Sequence, residues 1–172
     1  EPAVLSHFMG AIDRVFNPGC AGIGVGLPSV VDSRHGIVYD VVAIPAWKEV
    51  HLKRILEARY QVPVFVNNDS NCFALGEKYF GQGQGYSDFV AITLGTGLGC
   101  GIIIDHKLYS GAHTGAGEVG SIPYRSGILE QYTASGFFKA LQVDGAQVYE
   151  QAKYGEVQAR LHLENYGLAL SE

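Results

Sequence analysis

Apolar residues recur at helical spacing along Pro2–Phe16. Leu5, Phe8, Met9, Ile12 and Phe16 share one side, so this segment reads as an amphipathic helix ended by Asn17-Pro18-Gly19. Ala21–Val25 is a short apolar run between glycines and predicts a strand, with another over Ile37–Asp40. The helical period returns in His51–Tyr60, placing Leu52, Ile55 and Leu56 inward. Val62–Val66 is almost continuously apolar, the pattern of a strand buried on both faces. It runs into Asn67-Asn68-Asp69-Ser70-Asn71, a polar strand-to-helix junction. Asp69 or Ser70 is the expected N-cap there, and the helix continues through Phe80.

Gly81-Gln82-Gly83-Gln84-Gly85 then reads as a flexible breaker. Beyond it, Phe89–Leu94 predicts a strand, Gly95–Gly99 a glycine turn and Cys100–Ile104 the return strand. Asp105-His106 turns the chain back into Lys107-Leu108-Tyr109. Gly111–Gly120 is an irregular glycine-rich loop. Ile128–Leu141 predicts a helix interrupted near Ser135-Gly136, Asp144 caps another through Tyr154, and Val157–Leu170 forms the last. Meandering strands alternating with helices place the chain in the α/β class. The glycine breaker divides it into lobes at residues 1–82 and 86–172.

Composition narrows the function. The 172 residues are 47 % apolar and 17 % charged, enough core material to exclude intrinsic disorder. Net charge is −5 with scattered basic residues, which argues against nucleic acid as a partner. Apolar stretches are cut by Gly, Asp or His, so none spans a membrane. The start Glu1-Pro2-Ala3 shows no signal-peptide pattern. Cys20, Cys72 and Cys100 are odd in number and widely spaced; this fits a reducing, cytoplasmic setting rather than a disulfide framework. The 23 glycines cluster beside apolar runs and put tight backbone geometry at strand ends.

Three constellations carry chemistry. Gly95-Thr96-Gly97-Leu98-Gly99 joins two strands; it is either an anion-binding nest of backbone N–H groups, with the Thr96 hydroxyl beside it, or a plain hairpin. Asn68-Asp69 ends a strand, where α/β sheets bind ligands. Asp69 is either a general base for a substrate hydroxyl or a helix cap. Gly115-Ala116-Gly117-Glu118-Val119-Gly120 spells a dinucleotide fingerprint but lacks the preceding apolar strand, so it reads instead as a bare backbone presenting Glu118, with Glu130 following. Asp69, Glu118 and Glu130 also admit a glycoside hydrolase reading, in which the glycine turn has no purpose.

Together and in this order, these segments resemble the ROK family of sugar kinases and repressors. The matching stretches are Gly22–Pro28, Asn68–Asn71 through Ala74–Glu77, Gly95–Gly101, Gly115–Gly120, and Leu129-Glu130 through Ala134–Gly136. The resemblance implies an actin-like (ribonuclease H-like) two-lobe ATPase fold, incomplete at both ends, with the sugar in the cleft. It implies ATP-dependent phosphorylation of a hexose of glucose or N-acetylhexosamine type. Asp69 is the implied catalytic base. Asn68, Glu118, Ser121, Glu130 and Pro28 are the implied sugar contacts, and Gly95, Thr96 and Gly97 the phosphate loop, with ATP and Mg²⁺ as cofactors. It also implies a homodimer. A sugar-sensing repressor domain is the alternative.

Two departures qualify the resemblance. Ser121 stands where many members have a zinc-binding His, and no Cys motif follows, so no zinc is expected. The family's Asp-x-Gly-Gly-Thr loop and its glycine-rich adenosine segment are absent. The chain is accordingly expected to be the middle of a longer kinase, binding ATP poorly by itself.

Overall fold

The computed structural model describes residues 2–42 and 44–172. Helix α1 (Pro2–Asp13) leads to strand β1 (Ile23–Leu27), a small antiparallel sheet of β2 (Val30–Asp32), β3 (Ile37–Tyr39) and β4 (Glu49–Val50), and helix α2 (Leu52–Tyr60). Strand β5 (Val64–Asn68) then pairs in parallel with β1, Ile23 beside Val64 and Leu27 beside Asn68. The core of this half is built from large side chains. Trp47, Leu52, Leu56, Val38, Val50, Val64 and Val66 are fully buried, with α1 contributing Leu5, Phe8, Met9 and Ile12.

The first helix ends at Asp13, short of the expected Phe16. Val15 and Phe16 instead close a turn on the Ile12 carbonyl, and the Phe16 ring packs on Tyr60 at 4.8 Å. The expectation for β5 also needs correction. The strand is buried on one face only, and Phe65 on the other face is 70 % exposed. Its lateral neighbour is Gly24 of β1, which brings no side chain to shield it.

Helix α3 (Asp69–Phe80) follows β5 without a loop. Its N-cap is Asn68, one residue before the expected Asp69 or Ser70. The Asn68 Oδ1 accepts the N–H groups of Ser70 and Asn71 at 2.9 and 3.1 Å. The glycine run after α3 is not a loose breaker. Gln82–Gly85 forms a 3₁₀ turn, and the buried Lys78 ammonium donates to the Gln84 and Tyr86 carbonyls at 3.2 and 2.7 Å.

Beyond it, β6 (Phe89–Leu94), β7 (Leu98–Ile104) and β8 (Lys107–Leu108) form an antiparallel meander. β6 has the expected bounds, and β7 starts two residues earlier than expected because Leu98 still pairs with Leu94. Asp105 and His106 both have positive φ, as a two-residue type I′ hairpin requires. One face of the meander packs on α3 through Ala74, Ala91 and Ile103.

The rest is a short hairpin of β9 (Pro123–Tyr124) and β10 (Gly127–Ile128), then helices α4 (Glu130–Thr133), α5 (Ser135–Ala140), α6 (Gly145–Lys153) and α7 (Val157–Ser171). Asp144 caps α6 as expected, accepting the Gln147 N–H at 2.8 Å. The helix expected over Ile128–Leu141 with a break near Ser135-Gly136 is two short ones. They are split at Ala134, where the backbone turns extended and Ser135 N–H is drawn to the Gly95 carbonyl at 2.9 Å.

Candidate active site

A cleft of about 700 Å³ runs between the β5–α3 junction and the β6–β7 turn. All nine residues singled out from the sequence line it: Pro28 from the end of β1, Asn68 and Asp69 from the junction, Gly95, Thr96 and Gly97 from the turn, Glu118 and Ser121 from the glycine-rich loop, and Glu130 from α4. Residues from five stretches of chain therefore face one space.

The junction is rigid. Asn68 spends its carbonyl oxygen on the α3 cap and donates its amide to the Ser29 carbonyl at 3.2 Å. The polar group it keeps for a ligand is its remaining amide N–H. Asp69 occupies the first position of α3. One of its oxygens accepts the Ser70 N–H at 2.8 Å, and the other has no protein partner among the described residues. Capping and a free carboxylate, alternatives in the sequence, are divided between adjacent residues.

The turn is held from behind. Ser135 donates its N–H to the Gly95 carbonyl and its hydroxyl to the Thr96 carbonyl at 2.9 and 3.0 Å. Gly95 N–H closes on the Gly97 carbonyl at 3.0 Å. That leaves the Thr96 and Gly97 N–H groups without protein partners among the described residues. Free N–H groups on a glycine turn suit an anionic oxygen.

Glu130 is wedged beside this turn. Its Oε2 accepts the Leu98 N–H at 3.3 Å, and a Cβ at Gly97 would stand 2.8 Å from that oxygen. Gly117 has φ +92°, and a side chain there would collide with the Cys100 carbonyl, so glycine is needed to seat the loop carrying Glu118 against β7. The Glu118 carboxyl is held above the ordinary glutamate range. The cleft walls remove water from it, and Asp69 and Glu130 add negative charge nearby.

The lining is acidic. Asp40, Asp69, Glu118 and Glu130 face the cleft, and no Lys or Arg does among the described residues. Carboxylates are good acceptors for a polyol and poor neighbours for a phosphate. The donor set fits a sugar together with a single phosphoryl group at the turn. A longer polyphosphate needs positive charge that these residues do not provide, such as a bound Mg²⁺. Ser121 to Glu130 contains no Cys or His side chain that could ligate zinc.

The sequence reading passed over Ser29, Asp40, Ser70 and Thr93, which also line the cleft. Ser29 follows Pro28 directly and was within reach of the same strand-end argument. Ser70 and Thr93 meet only through the fold, and no spacing announces them.

The sequence profile of the ROK family matches residues 3–165. A xylose repressor from Caldicellulosiruptor bescii is 42 % identical over 102 residues, and a glucokinase from Halalkalibacterium halodurans is 42 % identical over 101. Each alignment takes in 59 % of this chain, but only 25 % of the repressor and 30 % of the glucokinase. The solved structure of a ROK family glucokinase from Streptomyces griseus, in complex with glucose and AMPPNP, superposes with a TM-score of 0.73 at 27 % identity. That superposition covers 96 % of this chain and 64 % of the glucokinase. The fold is the actin-like ATPase fold of the ROK sugar kinases, and the chain is 42 % identical to this repressor and to this kinase alike. The chain belongs to the ROK family.

Proposed function

We propose that this chain forms the sugar-binding and phosphoryl-transfer cleft of an ATP-dependent hexose kinase, acting on a sugar of glucose or N-acetylhexosamine type. The observation that carries the reading is the pairing, across one cleft, of an Asp69 carboxylate that has one oxygen without a protein partner with a glycine turn whose Thr96 and Gly97 N–H groups also lack one, among the described residues. A sugar hydroxyl beside Asp69 loses its proton to the carboxylate as it attacks, and the turn holds the oxygens of the transferred group. Bound ATP would supply that phosphoryl group, and Mg²⁺ among the acidic side chains would offset the charge. The Asn68 amide, Glu118, Ser121, Glu130 and the Pro28 segment orient the hydroxyls. On this reading residues 1–82 and 86–172 contribute to the two lobes, and α3 links them.

The second reading is a sugar sensor, favoured by the 42 % identity to a xylose repressor. The acidic lining serves that reading equally well, whereas a sensor has no use for a base opposite an anion-binding turn. Sugar-dependent ADP release with Mg-ATP, screened over a hexose panel on the full gene product, separates the two. Turnover on one sugar, abolished by Asp69→Asn, is the expected result. A folded protein that binds sugar without turnover overturns the kinase in favour of the sensor.

A further inference from the structure

Ser70 and Thr93 form a hydroxyl pair at the floor of the cleft, Oγ to Oγ1 at 2.9 Å. Ser70 is the residue immediately after Asp69. Thr93 lies two residues before Gly95 and directly opposite Gly99 across the β6–β7 ladder. The pair therefore bridges the start of α3 and the strand that ends in the glycine turn.

The surroundings leave this bridge little freedom. Ser70 is 6 % exposed. Its N–H is already taken by the oxygens of Asn68 and Asp69, so its backbone cannot slide. A Cβ at Gly99 would collide with both the Ser70 hydroxyl and that of Thr93, and a Cβ at Gly101 would run into Ala74 and the Ser70 carbonyl. Glycine on a strand marks a close approach. Here Gly101 brings β7 onto the backbone of α3, and Gly99 clears the space that the hydroxyl pair fills.

We infer that Ser70 and Thr93 act as one positioning unit, fixing the Asp69 carboxylate relative to the phosphate-holding turn. The inference rests on the kinase reading and adds residues to it. Neither hydroxyl is assigned a proton transfer or a bond to the sugar; they act through Asp69 and the turn. Transfer needs the attacking hydroxyl and the phosphoryl group aligned, and a misplacement of about 1 Å can lower the rate by about 100-fold.

The test is steady-state turnover of the full gene product on its preferred sugar, for wild type, Ser70→Ala, Thr93→Val, the double variant and Thr93→Ser. Thermal melting confirms that each is folded. Each single variant is expected to lower kcat by about 10- to 100-fold, with KM for the sugar changed by less than about twofold. The double variant should lose no more than the worse single variant, as members of one unit do. Thr93→Ser keeps the hydroxyl and should recover most of the rate. Independent, additive losses, a change confined to KM, or unchanged turnover overturns the unit while the kinase stands. No turnover by wild type on any sugar overturns the kinase reading, and with it the catalytic use of the pair.

Discussion

The two halves of this molecule are held together by opposite means. From Pro2 to Asn68 the interior is made of large side chains: Trp47, Leu52, Leu56 and a set of valines close on one another with almost no exposure. From Asp69 onward the buried apolar groups are small or few, Ala74, Ala91 and Ile103 in one cluster and Val148, Ala152 and Ala159 in another. What joins the segments there is close approach at glycines: Gly99 against the Ser70 and Thr93 side chains, Gly101 against the backbone of α3, Gly117 against that of Cys100, Gly120 against that of Leu98. The first half loses stability when atoms are removed, the second when atoms are added. The cleft lies where the two meet, with Asp69 at the boundary and the Gly95–Gly97 turn within the second.

The sharpest test of this division is at the cleft, where function should separate from stability. Asp69→Asn should lower kcat by about 10²- to 10⁴-fold, with melting unchanged, because the amide oxygen still accepts the Ser70 N–H. Next comes Leu56→Ala, which removes a fully buried side chain and should cost about 2–5 kcal/mol in chemical denaturation. Gly117→Ala adds one methyl where the Cys100 carbonyl and a φ of +92° oppose it; a loss of about 1–3 kcal/mol is expected. If Gly117→Ala proved neutral, the account of the second half would be wrong. Asn68→Ala removes the α3 cap and should cost about 0.5–2 kcal/mol, while Asn68→Asp should keep most of it.

The smallest effect is electrostatic. The pKa of Glu118 is raised in the folded state, so the native protein holds this proton after the unfolded chain has lost it. Its contribution to stability is fully present at low pH and is lost as pH rises from the ordinary glutamate range through the raised value. Glu118→Gln removes that loss. The variant should melt with wild type at low pH and slightly above it at neutral pH. Parallel curves at every pH would count against the crowding of carboxylates in the cleft.

Much of this site was legible in the sequence because its residues sit at element ends, where residue type and position carry meaning together. Asn68-Asp69 after an apolar run, Gly95-Thr96-Gly97 between two strands, and Glu118 on a bare glycine loop are all of this kind. Which neighbour does which task was not legible. Asn, Asp and Ser all cap helices well, and the choice of Asn68 follows from where β5 stops pairing with β1. The two-sided burial expected for Val62–Val66 failed for a related reason: an apolar run does not tell what lies beside it, and Phe65 has a glycine neighbour. The Ser70–Thr93 contact depends on Gly99 and Gly101 admitting α3, a fact of three dimensions.

The Lys78 clamp has a consequence for how the chain reaches this state. By tying α3 to the turn at Gln82–Gly85, it closes a loop of only a few residues, for which the entropic penalty is small. Helix α3 and that turn are then joined by contacts between near neighbours in sequence, while α3 meets β6 over a longer span, 23 positions for Ser70 with Thr93. The parallel pairing of Ile23 with Val64 must instead wait for the whole intervening segment to come round. Pairings local in sequence form faster than distant ones. Helix α3 with its clamped turn is thus the segment with the short search, and it offers an early surface on which the β1–β5 pairing can settle.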